Sequence, residues 1–114
     1  PQMNQTSCVF CKIVARQIPA TIVFEDNKTI AIEDINPKAA IHYLIIPKKH
    51  ISDLRNLSSE DIELSANLLQ TAKKISEQNK NIDFKLTANN GSEAGQLVFH
   101  LHFHFLAGNR FGTV

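Results

Sequence analysis

The sequence predicts a single α+β domain over residues 1–114, with a mainly antiparallel, five-stranded sheet, one long helix and one short helix. Short runs rich in β-branched residues alternate with turn-forming residues, which is typical of antiparallel strands. One longer segment repeats its apolar residues at helical spacing, which predicts the long helix. Apolar residues make up 43% of the chain and charged residues 20%, a composition that favours a globular domain over a disordered one.

The first half of the chain predicts the short helix and three strands. An apolar stretch that begins at Cys8 forms a turn and the helix, which ends before Ile18-Pro19 because proline disfavours helical backbone in the residue before it. Asp26-Asn27-Lys28 is a turn-forming cluster between two β-branched runs and predicts a hairpin. Asn36-Pro37-Lys38 breaks the chain before a third strand, which Pro47 closes. The predicted bounds are 8–15 for the helical region and 21–25, 29–33 and 42–46 for the strands.

The second half predicts the long helix and two more strands. Ser58-Ser-Glu-Asp61 resembles a capping box with an acidic first turn, so the helix is expected to start there and to run to about Gln78. The side chains expected to pack on the sheet are Ile62, Leu68, Leu69, Ala72 and Ile75. Residues 83–88 predict a fourth strand, residues 89–96 a loop, and residues 98–106 a fifth strand.

Charge and hydropathy argue against several classes of partner. The net charge is +1 and the basic residues are scattered, so neither a nucleic acid nor a membrane surface is expected as a partner. No apolar run approaches the roughly 20 residues that cross a bilayer, and the polar leader, residues 1–7, lacks the features of a secretory signal. We therefore expect a cytoplasmic protein. Met3 is a candidate native start, with Pro1 and Gln2 then added for expression.

Three of the five histidines alternate with apolar residues in the last predicted strand. His100, His102 and His104 are separated by Leu101 and Phe103. Because strand side chains point to opposite faces in turn, the three imidazoles are expected to share one face. Lysine, serine or threonine would serve equally well on a strand that only needs to face water, so the pattern indicates chemistry.

A metal site and a phosphate site are the two candidates for this face. Imidazole is a common metal ligand, but His100 and His104 would lie about 13 Å apart along a strand, whereas zinc–nitrogen bonds are about 2 Å long. The two are therefore not expected to share one ion. Gly91 and Gly95 in the preceding loop allow the backbone to present N–H groups to a phosphate. Because imidazoles can attack phosphorus or hold its oxygens, the combination favours phosphate chemistry.

Cys8 and Cys11 are the two cysteines of the chain. In a chain without a secretory signal, their two-residue spacing indicates metal or redox chemistry rather than a disulfide framework. The structural alternative is that both are small, buried apolar side chains. A tetrahedral zinc site would need two further ligands.

From Asn89 to Leu106 the sequence is similar to the signature of the histidine triad (HIT) family, in particular its nucleotide-binding Hint branch. The resemblance extends over nearly the whole chain in the family's order and spacing. The other segments that carry it are Phe10–Ile13, Ile18–Ala20, Phe24–Asp26, Asp34–Pro37 and His42–His50.

This resemblance implies a homodimer that hydrolyses purine nucleoside phosphoramidates, acyl-adenylates or related AMP-like conjugates without a catalytic metal. His102 would be the nucleophile that attacks the α-phosphorus, and water would then cleave the nucleotidyl-histidine intermediate. The backbone carbonyl of His100 would orient the nucleophile. His104 would hold a phosphate oxygen, and His42 would lie close to the nucleophile.

The resemblance also implies which residues bind the nucleotide. Asp34 would accept hydrogen bonds from the ribose hydroxyls, although from the sequence alone it fits a turn before Asn36-Pro37 equally well. The phosphate site would be lined by Asn89, Gly95, Gln96 and the backbone of Leu97. The base would occupy an apolar slot of Phe10, Ile13, Ile18, Ile32 and Ile35, each of which also fits an ordinary core.

A structural zinc and two departures complete the comparison. Some bacterial relatives with a Cys-x-x-Cys pair bind zinc, and the corresponding ligands here would be Cys8, Cys11, His50 and His100. Leu97 stands where family members often carry a hydroxyl residue that contacts phosphate and helps to protonate the leaving group. The chain also ends at residues 111–114 without the aromatic tail that reaches the partner's active site in some relatives. Turnover and specificity are therefore expected to differ.

Two other hypotheses stay open. The first is a nucleotide-binding regulatory module with little turnover, which the Leu97 departure favours. The second is a zinc-dependent hydrolase, which predicts that chelators stop the activity.

Overall fold

The computed structural model describes residues 7–113 and contains the predicted α+β architecture. The strands are β1 Ile22–Glu25, β2 Thr29–Glu33, β3 Ile41–Pro47, β4 Phe84–Thr87 and β5 Phe103–Ala107, and the helices are α1 Val9–Val14 and α2 Ile62–Gln78. The five strands form one antiparallel sheet in the order β1-β2-β3-β5-β4. Most of the predicted leader, residues 1–6, lies outside the described residues.

The predicted hairpin is confirmed, and a side chain closes its turn. Asp26 Oδ1 accepts hydrogen bonds from the backbone N–H groups of Lys28 and Thr29, both at 2.9 Å. Such a side-chain bond replaces a backbone bond in the turn and is typical of aspartate. Strands β1 and β2 therefore pair directly, and β2 continues the sheet into β3.

Helix α2 covers one face of the sheet, but its inward face differs from the expected one. Ile62 and Leu69 are 69% and 57% exposed, so the expectation that they pack on the sheet was wrong. The buried stripe contains Leu64, Leu68, Thr71, Ala72 and Ile75, which recur every three or four residues along the helix. Ile62 and Leu69 are seven residues apart and lie on a second, solvent-facing stripe.

The capping box predicted at the start of the long helix is present, but the α-helix begins further along the chain than predicted. The Ser58 side chain and the Asp61 carboxylate form the expected capping box around a 3-10 turn, Ser59–Asp61. The α-helical bonds begin after this turn, at Ile62. An aspartate completes the box in place of the more usual glutamate.

The fifth strand is shorter than predicted, because residues 98–102 bend away from the sheet. Their polar groups bond outside the strand ladder: the N–H of Leu101 donates to the carbonyl of Ile51 at 2.6 Å, and the carbonyl of Val98 accepts from Gln96 Nε2 at 3.0 Å. Pairing with β3 begins only at Phe103, opposite Ile45. The expectation that three histidines share one strand face is therefore wrong, and only His104 lies within β5.

None of the helices in the described part of the chain combines the length and apolar character that a bilayer crossing requires.

Candidate active site

A cleft of about 780 Å³ opens over the face of the sheet opposite α2. A row of directly paired residues crosses its floor: Ile32, Leu44, His104 and Thr87, from β2, β3, β5 and β4 respectively. Helix α1 contributes Phe10 to one wall. The cleft thus runs across four strands, with the histidines near its middle.

His102 lies in the cleft with one ring nitrogen fixed by the backbone. Its Nδ1 is 2.8 Å from the carbonyl oxygen of His100, and since a carbonyl can only accept, Nδ1 carries the proton. In the neutral ring, Nε2 then keeps its lone pair. Phe10 contacts the ring edge-to-face, with centroids 5.1 Å apart. The geometry therefore presents an unprotonated nitrogen to the cleft.

His42 and His104 form a second arrangement with defined protons. The backbone N–H of Lys38 donates to His42 Nδ1 at 2.9 Å, so the proton of the neutral His42 ring is on Nε2. That N–H faces His104 Nδ1 at 2.9 Å and donates to it. His104 must then carry its own proton on Nε2. His104 is thereby prepared to donate a hydrogen bond, whereas His102 is prepared to offer a lone pair.

Asp34 lies beside this pair. Its Oδ1 accepts the backbone N–H of Asn36 at 2.8 Å, which forms the turn expected from the sequence. Its Oδ2 is 3.3 Å from His42 Nε2. The carboxylate thus has one oxygen fixed by the backbone and a second oxygen at the cleft, next to the histidine pair.

Burial keeps these imidazoles neutral. Removal from water lowers the pKa of His102. Burial, together with the neighbouring His102 and His42 rings, lowers the pKa of His104 to about 4. The pKa of His42 is also lowered by burial, partly opposed by the Asp34 carboxylate. Neutral rings are required for the proton positions above, so the electrostatics and the hydrogen bonds agree.

Asp34, His42 and His104 also come close enough to be considered as metal ligands, since their donor atoms lie within 4.8 Å of one another. A cation there would have to replace the Nε2 proton of His42, because the other nitrogen of that ring already accepts the Lys38 N–H. The resulting imidazolate is a poor state for a histidine. The donor set favours a hydrogen-bonded chain over a metal site.

Most of the predicted nucleotide-binding residues line the cleft. Ile35 and Leu97 stand on its rim, 92% and 86% exposed, whereas Phe10 and Ile13 are buried in its wall. Gly95 has a φ of +94°, and a side chain there would approach the Asn89 amide to 3.3 Å. The predicted residues among those that line the cleft are Phe10, Ile13, Ile18, Ile32, Asp34, Ile35, Asn89, Gly95 and Leu97.

Gln96 is placed differently from the other predicted phosphate-site residues. Its side chain is 2% exposed and bonds inside the loop: Oε1 accepts the N–H of Gly91 at 2.8 Å, and Nε2 donates to the carbonyls of Ser52 and Val98. These hydrogen bonds of the Gln96 side chain thus fix the loop that borders the cleft.

Behind the cleft, Cys8, Cys11, His50 and His100 bring four donor atoms together, and we call them the four-donor cluster. His100 Nδ1 is 3.3 Å from Cys8 Sγ and 3.6 Å from Cys11 Sγ. His50 Nδ1 is 3.3 Å from Cys11 Sγ and 3.2 Å from His100 Nδ1. The residues come from α1 and its cap, from the segment after β3, and from the bend before β5.

These separations fit a zinc ion. With zinc–nitrogen bonds of about 2.0 Å and zinc–sulfur bonds of about 2.3 Å, a tetrahedral site has ligand–ligand edges of about 3.3 to 3.8 Å. The Nε2 of His100 donates to the carbonyl of Pro47 at 2.8 Å, so its Nδ1 has a free lone pair directed at the sulfurs. Burial and the adjacent Cys8 thiol raise the pKa of Cys11 to about 11, which a bound dication would reverse.

Three backbone groups of the site were not foreseen from the sequence. They are the N–H of Lys38, the carbonyl of Pro47 and the carbonyl of Ile51, which receives the N–H of Leu101. From the sequence, Pro37 before β3 and Pro47 at its end indicate only chain breaks. Backbone groups have no residue-type signature, so no pattern in the sequence could have identified these partners.

Comparisons with known proteins give consistent results. A family profile described as "Scavenger mRNA decapping enzyme C-term binding" matches residues 7–111. An uncharacterized HIT-like protein of Synechocystis is 45% identical over 104 residues, which are 90% of this chain and 91% of the relative. Protein HitA of Neisseria gonorrhoeae is 40% identical over 101 residues, which are 88% and 94% of the two chains.

Solved structures agree with the fold over most of their lengths. A HIT family hydrolase from Legionella pneumophila has a TM-score of 0.86 at 45% identity, covering 90% of this chain and 94% of that one. A histidine triad protein from Clostridium difficile has a TM-score of 0.90 at 36% identity, covering 98% and 99%. A zinc-bound histidine triad family protein from Mycobacterium smegmatis has a TM-score of 0.77 at 33% identity, covering 93% and 78%.

Proposed function

The chain belongs to the histidine triad family, and from this premise we propose that it is a hydrolase that cleaves purine nucleotide conjugates at the α-phosphate. The substrates are AMP-like phosphoramidates or acyl-adenylates. His102 is the nucleophile, His104 and His42 assist it, and His100 orients it. The names of similar structures, which describe HIT family hydrolases, support the general reaction class.

One observation carries this proposal: the carbonyl of His100 accepts the Nδ1 proton of His102 at 2.8 Å and leaves Nε2 unprotonated in the cleft. A nucleophilic imidazole needs a lone pair at the attacking atom at neutral pH. Burial favours the neutral ring, since it lowers the pKa of His102. A solvent-facing histidine with a structural role would need neither feature.

The reaction then has two steps. His102 Nε2 forms a bond to the α-phosphorus while the bond from phosphorus to the leaving nitrogen or oxygen breaks, and the leaving group takes a proton from water. His104 Nε2–H donates to a non-bridging phosphate oxygen in this step, and the His42 Nε2–H holds the His104 ring in the required tautomer. Water next attacks the same phosphorus as the bond from phosphorus to His102 Nε2 breaks, which releases the nucleoside monophosphate and regenerates neutral His102. The proton lost by this water returns to the solvent and replaces the one that the leaving group took.

We propose that the nucleoside lies over the β2 side of the cleft. The base contacts Phe10, Ile13, Ile18, Ile32 and Ile35, and Asp34 Oδ2 accepts the ribose hydroxyls. The loop around Asn89, Gly95 and Leu97 borders the phosphate. This assignment is supported by the common lining of one cleft by these residues and by the apolar character of its α1 wall.

Zinc is proposed as a structural ion in the four-donor cluster. Cys8 and Cys11 would bind it as thiolates, and His50 and His100 as neutral imidazoles through Nδ1. It supplies a cross-link between α1 and the two later segments. No bond of the substrate is made or broken at this ion. The zinc-bound relative from Mycobacterium smegmatis is consistent with such a site.

A homodimer in the cytoplasm completes the proposal. Strand β4 forms one edge of the sheet within the described chain and pairs there only with β5, so a second copy could extend the sheet. Sedimentation equilibrium at micromolar concentrations tests the dimer directly, and a monomer at all concentrations would contradict it.

The enzymatic proposal is tested with adenosine 5′-phosphoramidate as the substrate. The wild-type chain should release AMP, and rapid quenching should trap a protein adduct heavier by one adenylyl group. His102→Ala should abolish both AMP release and the adduct. Gln70→Ala, which changes an exposed position of α2, is the matched control and should leave both unchanged.

A negligible wild-type rate that His102→Ala does not change would overturn the proposal. If AMP still bound to both proteins by calorimetry, the chain would instead be a nucleotide-binding regulatory module, the alternative that the leucine at position 97 favours.

A further inference from the structure

His100 is connected to both parts of the site through different atoms. Its imidazole lies in the four-donor cluster, 3.3 Å from Cys8 Sγ, and is fully buried. Its backbone carbonyl accepts the Nδ1 proton of His102 at 2.8 Å. Because both groups belong to one residue, contacts that fix the imidazole of His100 also restrict the short bent segment that carries this carbonyl.

Phe10 provides a second connection. It lies between Cys8 and Cys11 in sequence and packs edge-to-face on both rings, with centroids 5.8 Å from His100 and 5.1 Å from His102. It is also part of the cleft wall. The position of α1 therefore sets the contact on the nucleophile as well as the shape of the slot.

Helix α1 is too short to hold its own position. It has six residues, and its cap is a cysteine whose Sγ accepts the N–H of Cys11 at 3.4 Å. Isolated helices of this length are unstable in water, so tertiary contacts must fix α1. Both cysteines belong to the four-donor cluster, and Phe10 lies between them.

From these contacts we infer that the four-donor cluster is a positioning element of the active site. A divalent ion bound there holds His100 and Phe10 in place, so that His102 keeps its Nδ1–H tautomer and its orientation in the cleft. The inference rests on the proposed hydrolase function for its kinetic part only. Cys8, Cys11 and His50 are positioning residues that act on His102 through His100 and α1, and the ion makes no contact with the substrate.

The test compares the full chain in zinc-loaded, metal-free and cadmium-loaded forms. Long-range ¹H–¹⁵N correlation spectra report the His102 ring directly. Zinc-loaded protein should show a single Nδ1–H tautomer, and metal-free protein a mixture of both. With adenosine 5′-phosphoramidate, kcat should fall about 10- to 100-fold on metal removal, the range typical when a supporting contact of a site is lost. Cadmium should restore both readouts.

Variants separate positioning from stability. Cys11→Ser should reproduce the tautomer mixture and the kcat loss of the metal-free protein. Leu68→Ala, in the α2 core on the other face of the sheet, is the matched control. At a temperature where circular dichroism shows both variants folded, Leu68→Ala should keep the single His102 tautomer and the wild-type kcat.

Several results would overturn the inference. One is a folded, metal-free protein with a single Nδ1–H tautomer on His102 and unchanged kcat. Another is a kcat loss with an unchanged His102 ring, which would mean that the ion affects turnover without positioning the nucleophile. If no form hydrolyses the substrate, the proposed function fails. A tautomer change between the zinc-loaded and metal-free forms would still support the coupling between the ion and His102. An unchanged tautomer would reject this coupling.

Discussion

Substituting Asp34 with Asn tests how the cleft recognises ribose. The change is nearly isosteric and keeps Oδ1, which accepts the Asn36 N–H at 2.8 Å, so the turn should survive. It replaces Oδ2, the oxygen directed at the cleft and 3.3 Å from His42 Nε2, with an amide that donates. Ribose hydroxyls would then lose a charged acceptor.

The expected effect follows from the energy of such a bond. A hydrogen bond to a charged group contributes about 1.5 to 3 kcal/mol. At about 1.36 kcal/mol per tenfold change, Asp34→Asn should lower kcat/KM for a ribonucleotide phosphoramidate about 10- to 150-fold. A 2′-deoxy substrate should lose a similar factor with the wild-type protein, because it leaves the carboxylate without its partner.

A double-mutant cycle supplies the decisive measurement. If Asp34 contacts the ribose, the substitution should matter little for the 2′-deoxy substrate, so that the two changes are strongly non-additive. Equal losses for both substrates would refute ribose recognition and show that Asp34 acts through His42. Glu33→Gln removes the same charge from the neighbouring exposed cleft residue and should leave the ribose preference intact.

Three further predictions concern turnover and stability. Leu97→Ser introduces a hydroxyl at the rim of the cleft. In steady-state assays with a poor leaving group, kcat should rise about two- to tenfold, which corresponds to the free energy of one neutral hydrogen bond. An unchanged kcat would contradict a role for this hydroxyl in turnover. Leu68→Ala should lower the free energy of unfolding by about 2 to 5 kcal/mol in urea titrations, whereas Leu69→Ala should change it by less than about 0.5 kcal/mol. The pKa of His104 is lowered from 6.5 to about 4. As the pH falls, the unfolded chain therefore takes up a proton at this residue before the folded chain does. The free energy of unfolding should fall as the pH drops from about 6.5 to about 4. His104→Gln should flatten this part of the pH profile.

Local signals in the sequence were sufficient for most of the fold. The hairpin turn depends on Asp26 and its two neighbours, and the capping box depends on Ser58 and Asp61, so both could be predicted from a few adjacent residues. The phase of α2 was harder, since Leu68 and Leu69 are adjacent and equally apolar. The sheet that covers one of them decides which is buried.

The bend before β5 could not be predicted from its alternating sequence. A strand pattern was present, but contacts with distant residues outweigh it: His100 is drawn to the cysteines, and Leu101 bonds Ile51. The alternation indicated that the histidines carry chemistry, which stays a prediction. It could not show that His100 faces the four-donor cluster while His102 and His104 face the cleft.

The partners that fix three histidine protons have a consequence for mutational robustness. The N–H of Lys38, the carbonyl of Pro47 and the carbonyl of His100 are backbone groups, and they set the tautomers of His42, His100 and His102 respectively. Side-chain replacements at position 38 cannot erase the first of these, except proline, which lacks the N–H. The backbone therefore determines the tautomers of these three histidines, and substitutions at position 47, or at position 38 to any residue but proline, should preserve them.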